Sequence, residues 1–124
     1  MRDGNANAGV TESARPPGWD RLLAVVVSDH AWPAELVQAA CDPQEFQVRH
    51  VPRAGQSPER IARMAPSVLA VDITGSERFP FDLLRGLQSD AATTLVPVLA
   101  LTRQPDPLMR AAAFAAGAED VTHQ

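Results

Sequence analysis

Val68-Leu69-Ala70-Val71-Asp72-Ile73 is the stretch that decides the fold. It is a short, unbroken apolar run interrupted only by one carboxylate near its end. Pro66-Ser67 bounds it before and Thr74-Gly75-Ser76 after, the pattern of a strand buried on both faces. Such a strand requires helices on both sides, and the flanking sequence supplies them. Upstream, Ser57-Pro58-Glu59 predicts a helix start, a hydroxyl cap before a proline in the first turn. Ile61, Ala62 and Met64 are expected to face inward there, and Pro66 to end the helix. Downstream, Phe81, Leu84 and Leu87 recur at helical spacing.

The same alternation continues outward. Leu22-Leu23-Ala24-Val25-Val26-Val27, closed by Ser28-Asp29, reads as a second doubly buried strand. Pro33 opens a helix through Leu36, Val37 and Ala40, and Asp42-Pro43 stops it. Phe46, Val48 and Val51 form a weaker strand. Leu95-Val96-Pro97-Val98-Leu99-Ala100-Leu101 is a strand ending at Thr102, with Pro97 where no ladder donor is needed. Asp106-Pro107 starts an alanine-rich helix from Leu108 to Ala116, with Phe114 in the core and Gly117 as C-cap. Asp120-Val121-Thr122 begins the last strand. The order is (βα)4β, which builds an α/β fold with a five-stranded parallel sheet covered on both faces.

Composition sets the outer limits. The chain has 124 residues, 45% apolar and 21% charged, enough for one domain with its own core. Residues 1–19, rich in glycine, asparagine and proline, read as a disordered arm or a remnant of expression, and 20–124 as the folded domain. The single cysteine, Cys41, excludes an internal disulfide and a cysteine metal cluster. A net charge of -4 argues against direct nucleic-acid binding. No apolar run reaches the roughly eighteen residues of a membrane span, and no signal peptide is present, so a cytoplasmic location is expected. All 11 basic residues are arginine.

Parallel sheets of this kind carry their sites at the carboxyl ends of the strands. Those ends hold Ser28, Asp29 and His30, then Asp72 to Gly75, then Thr102 and Arg103, and finally His123 and Gln124. Two carboxylates and a hydroxyl therefore converge on one rim. A lone histidine such as His30 is more often a polar loop residue than a metal ligand. Trp32, at the start of the first helix, reads either as a partner anchor or as a residue packed over the rim. There is no Gly-x-Gly-x-x-Gly run for a dinucleotide, no Asp-x-His-x-x-Gly run for a cobalamin and no nucleophile–base pair.

Four segments in order carry a resemblance: Val25-Val26-Val27-Ser28-Asp29, Pro66 to Asp72, Val96 to Thr102, and Ala116-Gly117-Ala118-Glu119-Asp120. With them residues 21–124 resemble the receiver domain of two-component response regulators, a CheY-like, flavodoxin-like module. The resemblance implies a phosphoryl group accepted on Asp72. It implies a magnesium ion held by Asp29, Asp72 and the Thr74 carbonyl, and a switch hydroxyl at Thr102. It implies a sensor histidine kinase or phosphotransfer protein as donor, an output domain or protein downstream, and at most slow self-dephosphorylation. The physical logic is that a carboxylate must approach a phosphoryl dianion, and a divalent ion offsets the repulsion.

The chain departs from this pattern in several places. The first metal-binding acid is Ser28, unless the pair is shifted to Asp29-His30. The lysine that would close the site is replaced by Gln124. Arg103 follows the switch hydroxyl where a small residue is usual. The proline and glycine of the loop after the acceptor are Ser76 and Pro80. A weakened magnesium site is therefore expected. Arg103 is expected either to lie in solvent or to swing over Asp72 as a replacement cation. The fifth helix of the family has no counterpart, so the chain is expected to be a fragment of a longer protein with an output domain downstream; the alternative is that residues 1–19 or a second copy fill the uncovered strip. Two readings follow: a phosphoacceptor in a phosphorelay, or a non-phosphorylated pseudo-receiver acting as an interaction or dimerisation module.

Overall fold

The computed structural model describes residues 21–75, 78–103 and 106–123. Strands and helices alternate without exception: β1 (Leu22–Val27), α1 (Trp32–Ala40), β2 (Phe46–Val51), α2 (Pro58–Met64), β3 (Val68–Asp72), α3 (Phe79–Ser89), β4 (Val98–Thr102), α4 (Pro107–Ala115) and β5 (Asp120–His123). All strand pairs are parallel, in the order β2-β1-β3-β4-β5. This is the flavodoxin-like doubly wound order.

Local chemistry places the helix ends. The Ser57 hydroxyl accepts the Arg60 N–H at 3.2 Å and opens α2. Asp106 does the same for α4, accepting the Leu108 N–H at 2.8 Å. Gly117, with φ +113, turns the chain out of α4 in a conformation that disfavours any side chain. The α2 exit is less usual, because a non-glycine residue, Ala65, takes the left-handed region with φ 52.

The sheet is covered on both sides. Val25, Val27, Leu69, Val71 and Ala100 pack with Ile61 of α2, Leu83, Leu84 and Leu87 of α3, and Ala113 of α4. On the opposite face Val26, Ala70 and Leu101 pack with Trp32 and Ala34 of α1. The period of two along each strand assigns alternate residues to the two faces.

Two expectations are corrected. β4 begins at Val98 rather than at Leu95. Residues 91–95 form a turn in which the buried Thr93 hydroxyl donates to the Leu87 carbonyl at 2.7 Å, leaving Leu95 90% exposed. Pro97 consequently precedes the strand, and its carbonyl accepts the Leu69 N–H. Phe114 is not core. It is 43% exposed, with the Arg110 guanidinium 5.8 Å from its ring centroid. Residues 1–19, Ser76 and Gln124 lie outside the described residues.

Candidate functional site

The carboxyl end of β3 is flanked by those of β1 and β4. Val27 pairs with Val71, so Ser28, the next residue, stands beside Asp72. Asp72 itself pairs with Leu101, and Thr102 follows. The register thus delivers an acid and two hydroxyls to the same end of the sheet.

Asp72 is fully buried, with 0% of its side chain exposed. A carboxylate in that position is retained only when donors meet it. The Ser28 hydroxyl donates to Oδ2 at 2.7 Å. The Thr74 N–H donates to Oδ1 at 2.8 Å, closing a local turn over the acid. Ser28 is positioned in its turn, since its oxygen accepts the His30 N–H at 2.9 Å and its carbonyl lies 2.8 Å from His50 Nε2.

The cation beside this acid is Arg53, from the loop that follows β2. Its Nη2 donates to the Asp72 carbonyl at 2.8 Å and to the Thr74 carbonyl at 2.9 Å, and lies 3.7 Å from Asp72 Oδ1. The Arg53 backbone N–H donates to Asp29 Oδ1 at 2.9 Å. Asp29 is otherwise an exposed residue of the rim. Asp29, Asp72 and Thr74 are thereby all bonded to one arginine.

Arg103 lies elsewhere. Its guanidinium sits 5.4 Å from the ring centroid of Trp32, which is buried at the start of α1. Arg103 is an exposed residue, as the solvated reading expects, with its guanidinium by Trp32 and not over Asp72, and Trp32 is packed at the rim. Thr102 is buried at the end of β4 and lines a cleft with Thr74, Gly75, Arg103 and Asp106. Thr74 links that cleft to the Asp72 pocket, because its amide is bonded to the acid.

The sequence contained a signal for Arg53. It stands two residues beyond β2, at the same sheet edge as Ser28, Asp72 and Thr102. The apolar pattern of the second strand is weak, so its end does not stand out in the sequence as part of the rim.

With Arg53 in place, a divalent ion does not fit among these residues. Such an ion needs several free oxygens at one point. Here the Asp72 and Thr74 carbonyls both accept a guanidinium, and one Asp72 oxygen accepts a serine hydroxyl where a second acid would be needed. Among the described residues no group of three or more histidine, cysteine or acidic side chains is arranged for a metal.

No protein-family model matches the sequence, and no curated protein is similar to it. Solved structures are similar in fold. A CheY-like protein from Pseudomonas aeruginosa matches with a TM-score of 0.69 at 24% identity, over 82% of this chain and 80% of that one. The signal receiver domain of a DNA-binding response regulator from Colwellia psychrerythraea also has a TM-score of 0.69, at 16% identity, over 83% of this chain and 85% of that one. A response regulator from Burkholderia multivorans matches with a TM-score of 0.62 at 20% identity, over 83% and 82%. The fold is thus that of CheY-like receiver domains. Among the described residues no helix is long and apolar enough to cross a membrane.

Proposed function

We propose that this chain is a signal-transduction module of receiver fold that works through protein contacts, with Asp72 as a structural acid and not a phosphoacceptor. One observation carries the reading. The Asp72 carboxylate is fully buried, hydrogen-bonded by Ser28 and Thr74 and capped by Arg53.

An attacking carboxylate must present an oxygen in line with the phosphorus of a donor. Oδ2 is engaged by Ser28 and Oδ1 by Thr74, so attack through either oxygen would require its bond to loosen. The lysine expected to steady a phosphoryl group is absent from the chain, as it has none. Meanwhile the arginine ties the ends of β2 and β3 together. The module then keeps one rim conformation, which suits a constitutive surface for a partner protein or an attached output domain.

The competing reading, a phosphorelay receiver fed by a histidine kinase or phosphotransfer protein, draws support from the arrangement of Asp72, Thr74 and Thr102 at one sheet edge. Phosphodonor labelling decides between the two. The protein is incubated with acetyl phosphate and magnesium, and its intact mass is measured. No phosphoryl adduct is expected. An adduct in the wild type that disappears in Asp72→Asn would overturn the proposal.

A further inference from the structure

We infer that Arg53 is a built-in cation that excludes divalent metal from the Asp72 pocket, and that removing its side chain turns the pocket into a divalent-cation site. Nη2 of Arg53 is within 3.7 Å of the Asp72 carbonyl, the Thr74 carbonyl and Asp72 Oδ1. Two main-chain carbonyls and a carboxylate converging on a point form the donor set of a hard cation.

Asp29 is held close by, its Oδ1 accepting the Arg53 backbone N–H, a bond that Arg53→Ala keeps. With the guanidinium in place, its positive charge lies against the Asp72 carboxylate. Without it, the Asp72 carboxylate and the two carbonyls lose that counter-charge. Their mutual repulsion in a partly buried pocket then favours a cation from solution. The guanidinium is permanently charged and covalently held, so its local concentration exceeds that of any free ion. A metal must displace it to reach the same oxygens. The side chain is 13% exposed, so the displaced guanidinium has a short route to solvent.

This inference does not depend on whether the module is phosphorylated. It concerns which cation holds the pocket, whereas the proposed function concerns reaction at Asp72. Binding of Mn2+, chosen because it is paramagnetic, separates the two. Mn2+ is titrated into the 15N-labelled wild type, Arg53→Ala, Arg53→Lys and the double variant Arg53→Ala/Asp72→Asn, with circular dichroism to confirm that each is folded.

In the wild type, the amides of Thr74 and Ile73 should not be broadened selectively. In Arg53→Ala they should broaden at Mn2+ concentrations roughly tenfold or more below any effect in the wild type. Arg53→Lys keeps the charge and should resemble the wild type, and Asp72→Asn in the Arg53→Ala background should abolish the gain. Two results overturn the inference: selective broadening in the wild type at the Arg53→Ala concentration, or a folded Arg53→Ala that gains no binding. If Arg53→Ala does not fold, Arg53→Gln, which retains a donor and length without the charge, gives the same readout with the same two overturning results.

Discussion

Ser28 is the residue whose removal tests the Asp72 pocket most directly. Its hydroxyl gives Asp72 Oδ2 a 2.7 Å bond inside a region without solvent. Ser28→Ala leaves that oxygen buried and without its donor, and the desolvation of the acid is no longer offset. A loss of about 1–3 kcal/mol is expected, measured as a shift of the urea midpoint with an unchanged slope. An unchanged midpoint would mean that the serine contributes nothing to holding the acid. Arg53 acts differently, because it bonds main-chain carbonyls as well as the carboxylate. It therefore couples the conformation of Thr74 to the loop after β2, a link between two strand ends that are separated by β1 in the sheet.

At the scale of elements, the exit of α2 is the strained point. Ala65 has φ 52 and ψ 55 as its C-cap and is followed by Pro66. A residue with a Cβ is disfavoured there, and proline restricts its predecessor further. Ala65→Gly should raise stability by roughly 0.5–1 kcal/mol in thermal or urea unfolding, with the relief of strain exceeding the added freedom of the unfolded chain. A lower stability would mean that the αL conformation carries no strain in this context. The connection from α3 to β4 shows how an apolar run can mislead. Thr93 reaches back to the Leu87 carbonyl, so the chain turns at Leu95 and reaches the sheet at Val98. The turn takes Leu95 out of the core, whatever its hydrophobicity.

Across the whole molecule, β3 is the axis. It pairs with β1 and β4, carries Leu69 and Val71 into one core and Ala70 into the other, and ends at Asp72. Leu69→Ala should cost about 2–5 kcal/mol, since the cavity would lie in the middle of the sheet with helices α2 and α3 above it. Measured by chemical denaturation, a loss below about 1 kcal/mol would show that the neighbouring side chains collapse into the space. The second core, under α1, is smaller and ends in Trp32. Arg103, exposed itself, lies over that ring and ties α1 to the end of β4.

The sequence by itself determined the alternation of strands and helices, the caps at Ser57 and Asp106, the turn at Gly117 and the rim to which Ser28, Asp72 and Thr102 belong. Those features depend on patterns a few residues long, namely apolar runs, caps and breakers, and on a topological rule that follows from parallel strands. Tertiary structure alone decided what meets Asp72. Ser28 is 44 positions away in the chain and Arg53 is 19. Arginine has a long stem with several rotatable bonds, so its sequence position fixes a region and not a target. The guanidinium found its place through two backbone carbonyls and a carboxylate that become neighbours only once β1, β2 and β3 lie in register.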